Sequence, residues 1–183
     1  MISAPSGSGK TTLIRALRRK CPAFFRSVSV TTRSPRRGER KGGDYWFVSS
    51  SEFARMHHRQ AFLESAAILG HRYGTPRGPI ERALGRGRDV LLGVDIQGAA
   101  QIRRSGLPAT TIFLLPPSWG VLRRRLEGRG TETTAQIQQR LRLARREMKE
   151  IPRYDYAVVN HRVQETAGII QSILTAEKHR VNP

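Results

Sequence analysis

At 183 residues the chain has the length of one domain with one core, and its 38% hydrophobic content places it among globular rather than disordered chains. No apolar run approaches the roughly 20 residues of a membrane span, no signal peptide is visible, and the lone Cys21 excludes an internal disulfide, so a reducing cytoplasm is expected. The net charge of +19 attracts polyanions, but its arginines are spread along the whole chain and the sparse aromatics are not interleaved with them, which argues for weak, salt-sensitive polyanion binding and against a dedicated nucleic-acid partner.

The first candidate strand is Met1-Ile2-Ser3, shorter than the roughly five residues of an ordinary strand, so the start is expected to lie a few residues inside the true one. A Gly-rich loop follows, then a helix over 12–20 that ends at Cys21-Pro22, where Cys21 has no evident catalytic partner and is read as structural. A polar, Arg- and Gly-rich loop over 31–43 leads to a short strand over 45–48 and a helix opened by Ser49-x-x-Glu52 in capping-box spacing. A strand over 62–68, a turn around Gly70 and a short helix with Pro76 near its start come next. Strands over 89–94, 110–115 and 156–159 then alternate with helices over 97–104, 119–126, 134–149 and 162–178, with Ser118 and Thr133 as N-caps of two of them. That alternation predicts an α/β fold with a parallel sheet flanked by helices. Residues 30–82 break the rhythm and read as an inserted lobe.

The loop Ala4-Pro-Ser-Gly-Ser-Gly-Lys-Thr11 carries the densest chemistry. Ser6, Gly7, Ser8 and Gly9 let consecutive N–H groups turn inward on a phosphate. Lys10 can reach β/γ-phosphates, the Thr11 hydroxyl can ligate Mg²⁺, and Thr12 opens the helix whose positive end faces the same anion. The pattern Gly-x4-Gly-Lys-Ser/Thr has Ala4 in its first place here, a departure outside its dense half. In Thr31-Thr-Arg33-Ser-Pro35-Arg36, two guanidiniums flank a proline that stiffens the turn, which suits a bidentate phosphate clamp, and Tyr45 can add a hydroxyl donor; spacing alone leaves a solvated basic loop equally open. Asp95 follows an apolar strand, where a carboxylate can approach either a metal or a second substrate. His57 and His58 lie on a polar helix, and no His/Cys grouping has metal-ligand spacing.

The phosphate loop, Ser27-Val-Ser29-x-Thr31-Thr32-Arg33-x-Pro35-Arg36-x-Gly38-Glu39 and Gly43-Asp44-Tyr45-x-Phe47-Val48 together resemble guanylate kinase, as do Phe62-Leu-Glu64, Tyr73-Gly74-Thr75, Asp95-x-Gln97-Gly98 and Arg125-Leu-Glu-Gly-Arg129-Gly-Thr-Glu132. The motifs run in order over nearly the whole chain. The resemblance implies a P-loop NTPase-type sheet with a mixed α/β GMP-binding lobe and a helical lid. It also implies Mg²⁺-dependent phosphoryl transfer from ATP to GMP, giving ADP and GDP in purine nucleotide metabolism. Carried over by position, Ser29, Arg33, Arg36, Tyr45 and Tyr73 would hold the GMP phosphate, and Glu64 and Thr75 would read guanine, whose N1–H and N2–H₂ are two donors that a carboxylate accepts together. Arg125, Arg129 and Arg140 would bind ATP at the lid, Arg129 and Arg140 reaching its phosphates, with Lys10, Arg129, Arg140 and Asp95 as the catalytic set and Asn160 near the adenine. The division implied is a core of 1–29, 83–125 and 150–183, a GMP lobe of 30–82 and a lid of 126–149. Two residues before Asp95 the family usually has an acid, and this chain has Gly93, which puts its Mg²⁺ handling in question. Two other readings compete. A related small kinase acting on a ribose bisphosphate should not need Tyr45 with the Glu64/Thr75 pair. A non-catalytic guanylate-kinase-like binding module typically has a degraded phosphate loop.

Overall fold

Apolar spacing, caps and glycine turns divide the chain, described over residues 1–128 and 133–181 of a computed structural model, into alternating strands and helices. In order these are β1 (Ile2–Ser3), α1 (Lys10–Lys20), β2 (Phe25–Arg26), β3 (Val30–Thr31), β4 (Trp46–Phe47), α2 (Ser50–His58), β5 (Phe62–Ile68), β6 (His71–Pro76), α3 (Arg77–Leu84), β7 (Val90–Leu91), α4 (Ile96–Arg104), β8 (Ile112–Leu115), α5 (Trp119–Glu127), α6 (Thr134–Glu147), β9 (Tyr156–Val159) and α7 (Val163–Lys178). They fall into two units, Met1–Pro22 with Ala109–Pro183, and Ala23–Pro108.

The first unit is built on a parallel sheet in the order β1-β8-β9, with Ile2 beside Ile112 and Leu114 beside Val158. Central β8 is apolar along its whole length, and Ile112, Phe113 and Leu114 are buried, as expected of a strand with neighbours on both sides. Helix α1 buries Leu13, Ile14, Ala16 and Leu17 along one stripe and packs on α7. Leu122, Leu126, Ile137 and Ala144 of α5 and α6 close a second cluster, with Leu141 at its margin. Both caps expected for these helices form: Ser118 accepts from the Val121 N–H, and Thr133 makes a full capping box with Gln136. Helix α6 stops at Glu147 rather than the expected 149, and the chain tightens into a 3₁₀ turn over Met148–Arg153 that contains Pro152. The proline ring disfavours α geometry just before it and collides with the carbonyl four residues back, which is that of Met148.

The second unit pairs β2 with β7 in parallel and folds the rest into a four-stranded sheet, order β4-β3-β6-β5. Here β3 and β4 are parallel, and β6 runs antiparallel to β3 and to β5. The bounds of β5 are those the sequence predicts. Its partner β6 was not expected: His71-Arg-Tyr-Gly-Thr-Pro76 has little strand propensity of its own and is held by neighbours on both sides. Leu69 (φ 51°) and Gly70 (φ 80°) make the two-residue hairpin turn between them. Ser49 caps α2 by accepting from the Glu52 N–H, and Phe53 of α2 stacks on Phe62 at 4.6 Å against Val30. Helix α4 packs on β5. Among the described residues, no helix is long and apolar enough to cross a membrane.

Candidate active site

In the first unit the phosphate loop joins β1 to α1. Gly7 (φ 97°) and Gly9 (φ 94°) occupy the left-handed region, and Gly9 caps α1 with its carbonyl accepting from the Leu13 N–H at 3.0 Å. The helix therefore begins at Lys10, ahead of the expected 12, with Thr11 and Thr12 in its first turn. Ala4 has no positive φ, so the place where the pattern has glycine does not need one here. Among the described residues, the polar side chains of Asn160, Arg125 and Arg140 bond to the loop. Asn160, buried, donates its amide to the Ser8 carbonyl at 2.8 Å. Arg125 donates to the same carbonyl at 3.2 Å and to the Asn160 carbonyl at 3.4 Å. Arg140 donates to the Ser6 hydroxyl at 2.8 Å. A Cβ on Gly9 would lie 2.5 Å from Asn160 Nδ2, so the brace and the glycine require each other. Arg129, expected beside them, lies outside the described residues.

In the second unit Arg33 is buried among aromatic rings, 5.6 Å from the Tyr45 centroid and 5.9 Å from that of Phe47, and the Tyr45 and Tyr73 rings meet edge to face at 6.1 Å. Its Nη2 donates to both carboxylate oxygens of Glu39 at 2.9 Å, and the Arg36 N–H donates to Glu39 at 2.8 Å. Burial works against the guanidinium charge, but the Glu39 hydrogen bond and Tyr73 outweigh it, so the Arg33 pKa stands above its ordinary value. Burial, then Tyr73, raises the Tyr45 phenol, which keeps its hydroxyl a donor at neutral pH. Ser29 lies at the entry to β3, its carbonyl accepting from the Trp46 N–H at 2.9 Å.

Beyond this cluster, Glu64 and Thr75 face each other across β5 and β6, both buried, and the Thr75 hydroxyl donates to Glu64 Oε1. A bulge between Phe62 and Glu64 sets this register. Asp95 caps α4, accepting from the Gly98 N–H at 2.7 Å. One point, the site of a Cβ on Gly98, is 2.3 Å from Glu64 Oε2 and 3.1 Å from Asp95 Oδ1, which puts Asp95 beside Glu64. An ionised carboxylate accepts hydrogen bonds only, so the buried Glu64 suits a ligand that brings donors.

A guanylate kinase family model matches residues 1–177. The chain belongs to the guanylate kinase family. Two curated members show the extent of the likeness. The guanylate kinase of Nitrosomonas europaea is 47% identical over 178 residues, 97% of this chain and 89% of that protein. That of Thermobifida fusca is 45% identical over 176 residues, 96% of this chain and 90% of that protein. The crystal structure of guanylate kinase from Anaplasma phagocytophilum superposes with a TM-score of 0.79 at 35% identity, covering 98% of this chain and 85% of that one. The family makes the chain a nucleotide-binding transferase of the nucleoside monophosphate kinase class, with the α/β fold of the P-loop kinases.

Within this guanylate kinase fold, the structure groups Ser6, Ser8, Arg125, Arg140 and Asn160 at the loop, Arg33, Tyr45 and Tyr73 in one cluster, and Glu64, Thr75 and Asp95 in another. Sequence reasoning gave no role to Glu39, although it stands three residues after Arg36, a spacing that lets its carboxylate reach back to that N–H. It also gave none to Gln101, which bonds a residue 36 positions away. Nothing local to Gln101 signals that contact.

Proposed function

We propose that the chain transfers the γ-phosphoryl group of ATP to GMP, giving ADP and GDP. The observation that carries the reading is the buried Glu64–Thr75 pair within a chain of this family. Guanine offers N1–H and N2–H₂ to one carboxylate, whereas adenine lacks that donor pair and would leave a buried Glu64 poorly satisfied. Arg33, Arg36, Tyr45, Tyr73 and Ser29 take the GMP phosphate. Glu39 pre-sets the Arg33 guanidinium, so that binding orders fewer torsions.

On the donor side, the loop N–H groups, Lys10, Arg125, Arg140 and Arg129 bear on the ATP phosphates, while Asn160 braces the loop near the adenine end. An oxygen of the GMP phosphate attacks the γ-phosphorus as its bond to the ADP oxygen breaks. No general base is required, because the acceptor is already an anionic oxygen; positioning and positive charge over the equatorial oxygens do the work. The Thr11 hydroxyl is a hard oxygen donor in the first turn of α1, which fits Mg²⁺ brought in on the nucleotide phosphates; among the described residues no cluster of His, Cys, Asp or Glu is placed to hold a metal by itself. Bound Mg²⁺ supplies charge neutralisation at the β/γ-phosphates. Asp95 supports the GMP side. We further propose that the lobe of 30–82 and the lid of 126–149 close over the core of 1–29, 83–125 and 150–183, that the protein works in the cytoplasm in purine nucleotide metabolism, and that the net charge of +19 gives only weak polyanion binding.

The test is coupled ADP release from Mg-ATP with GMP, AMP, CMP and a ribose bisphosphate acceptor in parallel. Turnover confined to GMP and lost in Lys10→Ala supports the reading. GMP that binds without turnover in the unsubstituted protein overturns it in favour of a binding module, and turnover of the sugar phosphate alone overturns the substrate.

A further inference from the structure

We infer that Gln101 is a positioning residue for base selection, acting on Glu64 through the free edge of β5; this rests on the proposed reading of Glu64 as the guanine acceptor. Strand β5 stands at the end of its sheet, with β6 on one side only. In an antiparallel pair the N–H and C=O of successive residues point alternately to the partner and away from it. Ser65 points away. Its two backbone groups are met by one side chain, with the Gln101 Nε2 donating to the Ser65 carbonyl at 2.7 Å and the Gln101 Oε1 accepting from the Ser65 N–H at 3.1 Å. The carboxamide thus does what a neighbouring strand would do, in a closed ring of two hydrogen bonds, at the residue next to Glu64. Gln101 and Gly98 are three apart on α4 and so share one face. Gly98 leaves the space in which the Glu64 carboxylate lies, and Gln101 fixes the depth at which β5 meets the helix. A glutamine satisfies both backbone groups because its amide has one acceptor and one donor side; a carboxylate or an alkyl chain satisfies one or neither. An edge strand presents a row of backbone N–H and C=O groups with no strand to pair them, and the Gln101 ring satisfies the pair next to Glu64.

The experiment is steady-state kinetics with GMP and with IMP, which lacks the 2-amino donor. The proteins are the unsubstituted chain, Gln101→Ala, Gln101→Met, Glu64→Gln and the double variant Glu64→Gln/Gln101→Ala. Gln101→Ala should raise the KM for GMP about tenfold, leave kcat and the KM for ATP in place, and lower the preference for GMP over IMP by a similar factor. In the double variant the Gln101 substitution should change that preference no further, because it acts through Glu64. Gln101→Met keeps the volume and reports the loss of the hydrogen bonds should the alanine variant fail to fold. Slow hydrogen exchange at the Ser65 amide of the unsubstituted protein is expected as well, and fast exchange there overturns the clamp without any variant. A preference that survives in both Gln101 variants while Glu64→Gln abolishes it overturns this proposal alone. A preference that survives in Glu64→Gln overturns the base-reading assignment beneath it.

Discussion

Replacing Gly98 by alanine separates base recognition from stability. The new Cβ would lie 2.3 Å from Glu64 Oε2 and 2.7 Å from its Cδ, with Asp95 Oδ1 at 3.1 Å. A carbon and an oxygen rest no closer than about 3.3 Å, so the carboxylate must retreat by about 1 Å. Gly98 sits in the first turn of α4 without a positive φ, and alanine is the better helix former there by up to about 1 kcal/mol. The displaced atoms are the end of a flexible side chain, so the folding cost is small and the two effects offset to within about 1 kcal/mol. Function has no such compensation. The carboxylate is tied to Thr75 and flanked by Asp95, and with Glu64 as the proposed guanine acceptor a displacement of about 1 Å there costs on the order of 100-fold in kcat/KM. Gly98→Ala should therefore lose about that factor with GMP while its melting temperature stays within a few degrees of the parent. The assay is ADP release at varied GMP alongside thermal unfolding. An unchanged kcat/KM for GMP would refute the reasoning, because it would mean that the position of Glu64 does not govern GMP use.

Asn160→Ala removes a buried amide that donates to the Ser8 carbonyl, and should cost about 1–2 kcal/mol in urea unfolding and raise the KM for ATP while GMP affinity, read by calorimetry, holds. Phe53→Ala empties a buried site stacked on Phe62 and should destabilise the second unit by about 3–5 kcal/mol in the same unfolding experiment. The neutral Tyr45 phenol is favoured in the fold, so its contribution is whole below its ordinary pKa of 10.0 and is lost as pH rises through the raised value. Urea midpoints taken at about pH 8 and about pH 11 should fall further for the parent than for Tyr45→Phe, and equal falls would show that the phenol is not held neutral.

What the sequence determined by itself is what neighbouring residues decide among themselves. The turn made by the glycines of the phosphate loop, the caps at Ser49, Ser118 and Thr133, and the strands β5 and β9 were all legible because turn sterics, capping and local strand patterning act within a few residues. Family membership was legible because whole motifs stand in order along the chain. Tertiary structure alone decided the rest. Strand β6 exists because β3 and β5 hold it, and the Asn160 brace under Ser8 and the Gln101 clamp on Ser65 each join groups whose local sequence is silent about the partner. A single hydrogen bond between distant residues leaves no period and no composition to read. It is chosen only when packing has brought two buried polar groups together and left each with no better partner.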